Sequence, residues 1–204
     1  MLIVLAGLII GLTLGLLGAG GAILTVPVMV FVVGMPDKEA IASALFIVGT
    51  ISALLSVKNV ITGVISWRYV LWFGLPGVFG AYVGALAGSE VSAAIQMALF
   101  SALMLVAGMR MLLGISGTEG PAIETGMLRL VVVGSITGVL TGFVGVGGGF
   151  IIVPALVLLA GVTMSQAVVT SLVIITLNAY TGFFAYMNAF TKNDSVLNWE
   201  VIAW

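Results

Sequence analysis

The sequence predicts an all-α fold: a polytopic bundle of transmembrane helices built from an internal repeat, each half opening with a Gly-broken helix. Three observations predict it. The 204 residues are 62% hydrophobic and only 6% charged, where an ordinary soluble domain carries about 25% charged residues. Thirteen charged side chains cannot cover a soluble surface of this size. The apolar residues fall into runs near the roughly 20 residues that one spanning helix needs. Third, the two halves of the chain align with each other.

In chain order, residues 2–33 are almost wholly apolar, and Gly34-Met35-Pro36-Asp37-Lys38-Glu39 breaks the run. No Lys or Arg precedes this first run, so it lacks the basic start of a cleaved signal peptide and reads as a retained membrane segment. Residues 40–57 form the next segment, closed by Lys58-Asn59. Residues 69–88 and 91–113 follow, separated around Ser89-Glu90. The stretch 114–126, rich in Gly with a Pro and two Glu, is the one clear linker. Beyond it lie apolar segments 127–161 and 164–190, a polar loop from Thr191 to Asn198, and a short apolar start, Trp199 to Trp204.

A shift of 127 residues superposes the halves without gaps over 42 positions. Seven glycines recur: Gly7, Gly11, Gly15, Gly18, Gly20, Gly21 and Gly34 fall on Gly134, Gly138, Gly142, Gly145, Gly147, Gly148 and Gly161. Pro27 falls on Pro154. Apolar coincidences are cheap in such a chain, but glycines and a proline at fixed offset are not. The chain therefore divides into a first transmembrane repeat, 1–113, the linker 114–126, and a second repeat, 127–204. Trp67 matches Trp199 after a five-residue insertion, and the chain ends five residues later. The second repeat is thus expected to be C-terminally incomplete. Internal duplication is a common build for secondary transporters.

Composition also excludes chemistry. There is no Cys and no His, which removes disulfides, thiolate nucleophiles, zinc sites and imidazole bases. An enzyme, a metal site and a cofactor are not expected. A net charge of −1 offers no nucleic-acid footprint. No carboxylate lies deep in a segment, so no proton relay is visible.

Candidate site residues come from the glycine clusters. Gly18-Ala19-Gly20-Gly21 with Pro27, and Gly145-Val146-Gly147-Gly148-Gly149 with Pro154, occupy matching places in the halves. Each Gly costs a helix interior about 1 kcal/mol relative to Ala, so a cluster should unwind it. Unwound backbone at membrane depth is tolerated where it is buried or lines a cavity, and helix N-termini attract anions. The plainer reading is that these glycines only allow close helix contact. That reading is preferred for the four-residue spacings Gly7/Gly11/Gly15, Gly80/Gly84/Gly88 and Gly134/Gly138/Gly142, a small-xxx-small pattern. Hydroxyls within segments usually bond their own helix carbonyls. Ser43 and its repeat partner Thr170, with Ser171, put hydroxyls at corresponding places. Asn178 needs a partner or a wet cavity. Lys58 and Arg68 lie near segment ends, where snorkelling to the interface is expected.

If each Gly-broken run crosses the membrane once, Lys58, Arg68, Arg110, Arg129 and Lys192 share one side and only Lys38 opposes them. If it crosses twice, the division is four against two. The positive-inside rule favours the first and would place the N-terminus and the linker in the cytoplasm.

The doubled G-x-G-G-x-x-x-x-x-P signature, Gly18 to Pro27 and Gly145 to Pro154, resembles the sulfite exporter TauE/SafE family of membrane transport proteins. The likeness extends to the linker position and to the polar patch after each Gly-Pro element. It implies export of small anions such as sulfite or sulfonates across the bacterial cytoplasmic membrane. The expected substrate contacts are Gly18, Gly20, Gly21, Pro27, Ser43, Gly145, Gly147, Gly148, Gly149, Pro154, Thr170, Ser171 and Asn178. The expected partners are a small anion and the lipid bilayer, with a homo-oligomer left open. The alternative is a membrane scaffold or assembly subunit that carries no substrate.

Overall fold

The computed structural model describes residues 25–112, 126–145, 147–158 and 161–192. Gly18, Gly20 and Gly21 lie outside the described residues, as do most of the linker and everything after Lys192. Among the described residues the fold is all-helical.

Helix α1 (Thr25–Pro27) runs into a π-helical stretch, Val28–Val32. The chain then turns at Gly34, φ 76°. Helix α2 (Asp37–Ile61) starts behind Pro36, with Asp37 and Glu39 in its first turn and Lys58 in its last. That charge order complements the helix dipole. Helix α3 spans Trp67–Glu90. Its early part, Val70–Gly74, is π-helical, and Pro76 follows at the start of the regular helix. Proline lacks the amide that would bond one turn back, and the widened turn sits where that bond is lost. Helices α4 (Ala93–Leu112), α5 (Met127–Val144), α6 (Gly149–Leu158) and α7 (Met164–Lys192) complete the order. Among the described residues, α2, α3, α5 and α7 are long and apolar enough to cross a membrane. Large apolar side chains such as Phe31, Phe79, Leu105 and Leu128 stand exposed on the outside, the arrangement a lipid-facing surface requires.

Two helix pairs organise the bundle. Helices α3 and α5 run parallel and meet through glycine. A β-carbon at Gly134, Gly138 or Gly142 would overlap the carbonyl of Phe73, Gly77 or Ala81. One at Gly80, Gly84 or Gly88 would overlap the carbonyl of Ser135, Val139 or Phe143. The two small-xxx-small runs of the described chain therefore face each other, backbone against backbone, where lipid offers no hydrophobic drive for association. Helices α2 and α7 run antiparallel: Gly182 packs on Leu45, and Gly49 on Ala179 and Tyr180.

Direction follows from these contacts. Thr170, near the start of α7, accepts the Ser66 amide at 3.5 Å. Tyr186, near its end, meets Gln96. So α7 runs from the Ser66 end of the bundle to the Gln96 end. Helix α5, parallel to α3, runs the same way. The chain between α5 and α7 must therefore come back to the Ser66 end, and it does so through α6. The run 127–161 makes an out-and-back excursion, not the single crossing that the charge count favoured. Lys192 ends α7 at the Lys38 end, and Lys58, Arg68, Arg110 and Arg129 belong to the other. The charge count could not separate the two courses, because either leaves most Lys and Arg at the Ser66 end, and α6, only 10 residues long, does not stand out from the apolar run that contains it.

Local geometry repeats at the 127-residue offset. Gly34 and Gly161 both take positive φ, 76° and 67°. Met35 N–H donates to the Met29 carbonyl at 3.1 Å, and Val162 N–H to Leu156 at 3.0 Å. Ala40 N–H bonds the Pro36 carbonyl as Ala167 N–H bonds that of Thr163, at 2.9 and 2.8 Å. Helices α2 and α7 then start at Asp37 and Met164.

Candidate functional site

The site is built where α5 gives way to α6. Helix α5 closes on Gly145, φ 75°, whose N–H donates to the Thr141 carbonyl at 2.9 Å. Gly147 and Gly148 also hold positive φ, 70° and 75°, a region that costs a side chain but not glycine. Close approach adds a second demand for glycine. A β-carbon at Gly145 would overlap Ile41, at Gly147 Val48, and at Gly148 Thr141. Gly149 then opens α6, and Gly148 caps it by accepting the amides of Ile151 and Ile152 at 3.0 and 2.9 Å. The first amides of a helix have no acceptor within it, and the macrodipole puts roughly half a positive charge there.

This turn lies inside the molecule. Gly147 packs on Val48 and Ala179, near the midpoints of α2 and α7. Beside Ala179, Asn178 is 2% exposed, and neither its Nδ2 nor its Oδ1 has a partner. Its amide rests against the bare Cα of Gly77 on α3, 3.3–3.4 Å from where a β-carbon would stand. Ser52, on the face of α2 that carries Leu45 and Val48, is fully buried with an unpartnered hydroxyl. Buried polar groups without partners are rare and costly. Ser52 and Asn178 lie at the mid-level of their helices, which makes them candidates for contact with a polar solute.

The other expected site residues are distributed more widely. Ser43 is fully buried with a free hydroxyl. It shares a face of α2 with Ala40 and Ile47, which pack with Met29 and Met35, away from the Gly145–Gly148 turn. Pro27 ends α1 and is half-buried; Pro154 is half-buried inside α6. Thr170 and Ser171 are buried near the Ser66 end. Ser171 donates to its own helix carbonyl at Val168, 2.8 Å away. The geometry thus brings Gly145, Gly147, Gly148 and Gly149 into one turn against Ala179, while the neighbouring Asn178 turns its amide to Gly77 of α3. It sets Thr170 and Ser171 about two turns along α7, by the 1.5 Å helix rise.

Ser52 was not separable in the sequence from the other hydroxyls of its segment. Its spacing of four from Val48, on the face that meets the second half, is the signal that distinguishes it. A polar cluster at the Lys38 end has no counterpart among the residues expected from the sequence. Lys38 Nζ donates to the Gly88 carbonyl at 2.6 Å, to Gln96 Oε1 at 2.7 Å, and to the Val91 carbonyl. Gln96, 1% exposed, donates to Tyr186 Oη at 2.7 Å and to the Phe143 carbonyl. Five helices are tied at this end. The lone Gln of α4, in an otherwise apolar stretch, was the available clue.

Among the described residues no group of His, Cys, Asp or Glu could hold a metal ion. The polar equipment at the turn is amide and hydroxyl, suited to binding a small solute by hydrogen bonds.

Comparison with known proteins places this equipment in context. The profile of the sulfite exporter TauE/SafE family matches residues 3–204. A "Probable membrane transporter protein" of Xylella fastidiosa strain Temecula1 is 30% identical over 201 residues, covering 96% of this chain and 75% of the relative. One of the same name from strain 9a5c is 33% identical over 172 residues, covering 82% and 66%. A similarly named protein of Methanocaldococcus jannaschii is 28% identical over 197 residues, covering 94% and 73%. No solved structure matches the chain.

Proposed function

This chain belongs to the sulfite exporter TauE/SafE family of membrane transporters, and from that premise we propose that it carries a small oxyanion, sulfite or a related sulfur anion, through the middle of the bundle. It is a multi-pass membrane transporter, not an enzyme. The observation that carries the finer reading is the interrupted helix: Gly145, Gly147 and Gly148 end one helix and open another beside an unpartnered Asn178. In the proposal, the first amides of α6 and the Asn178 amide hold the anion. Gly147 and Gly148 let the chain turn there with positive φ and without overlap on Val48 and Thr141, and Gly149 opens α6 behind them. Thr170 and Ser171 line the way from the Ser66 end. Gly18, Gly20, Gly21 and Pro27 supply the counterpart in the first half, with Ser43 on its side of α2.

We further propose that the halves 1–113 and 127–204, joined by the linker 114–126, are inverted repeats. The antiparallel course of α2 and α7 supports this, as do the matched Gly34 and Gly161 turns. Access would alternate by rocking one half against the other around a fixed central site. The positive-inside rule then assigns the end with Lys58, Arg68, Arg110 and Arg129 to the cytoplasm.

The test is anion flux in proteoliposomes carrying the full-length protein. Gly148→Leu, which adds strain and overlaps Thr141, should cut sulfite flux by about tenfold or more, the scale of a lost hydrogen bond to a charged group. Gly147→Ala should cut it less. Both variants must elute as the parent does from a sizing column. Undiminished flux in well-folded Gly148→Leu would remove the site assignment. A substrate-free scaffold predicts no flux and no stabilisation by any anion.

A further inference from the structure

Building on the transport reading, we infer that Lys38, Gln96 and Tyr186 are the latch of a gate: they shut the Lys38 end of the bundle over the Gly145–Gly148 turn, and a solute passes that end only when the latch parts. The observation is where the bonds go. Lys38 on α2 donates to the Gly88 carbonyl at 2.6 Å, to Gln96 Oε1 at 2.7 Å and to the Val91 carbonyl. Gln96 on α4 donates to Tyr186 Oη on α7 at 2.7 Å and to the Phe143 carbonyl on α5. Lys38 and Gln96 belong to the first half of the chain, Phe143 and Tyr186 to the second. One carboxamide thus fastens the halves to each other and to Lys38.

The latch lies directly beside the turn. The Phe143 carbonyl that Gln96 holds is two residues before Gly145, and Lys38 is about one helical turn before Ile41, on which Gly145 packs. The cluster is also tightly closed. A β-carbon at Gly88 would stand 2.6 Å from the Phe143 carbonyl oxygen, 2.7 Å from Gln96 Nε2 and 2.8 Å from Tyr186 Oη, so the polar groups meet bare backbone. Gln96, Tyr186 and Ile41 are buried, as are Gly145, Gly147 and Gly148 of the turn. Water at the Lys38 end does not reach the turn in this conformation.

The bonds are of a kind that can part and re-form. Lys38 uses its three N–H groups and Gln96 both amide hydrogens. Two of the acceptors, the Gly88 and Phe143 carbonyls, lie in the last turns of α3 and α5, where carbonyls have no amide partner within the helix. Lys38 and Val91 are half-buried, and Glu90 and Ser92 beside them are exposed. Water can therefore replace the broken bonds as the gate opens, an exchange of small net cost. The α3–α5 seam offers no such exchange, because there backbone meets backbone. At the opposite end a bond between the halves, from the Ser66 amide to Thr170 Oγ1, is 3.5 Å long, beyond the usual range for N–H···O. The halves are tied firmly at the Lys38 end and loosely at the Ser66 end, an asymmetry expected of one state of an alternating carrier.

The experiment is thiol labelling in sealed, oriented vesicles, on a chain that contains no Cys of its own. Ile41→Cys, just inside the latch, reports access from the Lys38 face to an impermeant thiol reagent. Ser171→Cys, fully buried near the Ser66 end, reports general loosening to the same reagent applied from the other face. Adding Lys38→Met or Gln96→Ala should speed Ile41→Cys labelling about tenfold or more, the scale of a lost hydrogen bond to a charged group. Adding Tyr186→Phe, which removes one neutral bond, should speed it several-fold. Ser171→Cys labelling should stay within about twofold in all three. Every variant must elute as the parent does from a sizing column, and Tyr186→Phe, the mildest change, keeps the test open where a bolder one misfolds. Ile41→Cys labelling at the parent rate in folded latch variants would overturn the latch and leave the transport reading standing. A comparable rise at both reporters would overturn it too, because the cluster would then be a structural tie and not a gate. Sulfite flux is measured in the same vesicles: a parent that carries no sulfite overturns the transport reading and the gate with it.

Discussion

Gln96 is the residue on which one end of the bundle turns. It accepts from Lys38, donates to Tyr186, and donates to the Phe143 carbonyl, joining α2, α4, α5 and α7. A buried amide replaced by Leu strands its former partners, at about 1–3 kcal/mol for each group left without a bond. Gln96→Leu should therefore destabilise the protein by at least that much, read as a lowered unfolding midpoint in detergent. Combined with Tyr186→Phe, the loss should be less than additive, because the two share one bond; full additivity would show the network is not coupled. Residue-scale features divide by how far the sequence can carry them. Asn178 was readable as a residue needing a partner, because a carboxamide in an apolar span has nowhere else to go. Ser52 and Gln96 were not, because their importance depends on which neighbours the register brings. A hydroxyl such as Ser171 that bonds its own helix and one such as Ser52 that does not are identical in one dimension.

At the level of elements, the glycine spacing of α3 and α5 was open to reading from the sequence alone, since a period of four on a helix makes one small stripe. Which stripe meets which was not: Gly80/Gly84/Gly88 and Gly134/Gly138/Gly142 lie in different halves, and their parallel pairing is a tertiary fact. The pairing makes a sharp prediction. Gly84→Leu drives a side chain into the Val139 carbonyl, and the neighbour is backbone, which cannot rotate away. Overpacking of this kind costs about 1–3 kcal/mol, occasionally more. Gly126, at the start of α5, has nothing within 4 Å of a β-carbon and φ −54°, so Gly126→Ala should change stability by no more than about 0.5 kcal/mol. Detergent unfolding of the two variants side by side separates backbone contact from the general effect of giving a glycine a side chain. If both fall equally, backbone contact at Gly84 is not the cause. The π-helical turns were beyond the sequence reading. Pro76 rationalises the one in α3, but the stretch after Pro27 has no such account.

Across the whole molecule the decisive question is how many times the run 127–161 traverses the bilayer. The sequence could pose it but not answer it, because six Lys and Arg residues allow a five-to-one or a four-to-two division, and both satisfy the positive-inside rule. The answer comes from packing. Parallel α3 and α5, antiparallel α2 and α7, and the Ser66–Thr170 contact together force the chain back to the end it left. Met164 is the residue that reads this out. It is exposed at the start of α7. An out-and-back excursion puts it on the same side as the exposed Thr62 and Met127, whereas a single crossing puts it with Asp37 and Glu90. The chain contains no Cys, so single substitutions can be labelled without background. In sealed, oriented vesicles, Thr62→Cys, Met127→Cys and Met164→Cys should react with an impermeant thiol reagent from one face, and Asp37→Cys and Glu90→Cys from the other. Met164→Cys labelled together with Asp37→Cys would show a single crossing. In that event the inverted relation of the halves fails, and with it the rocking mechanism, because α2 and α7 would then cross the membrane in the same sense.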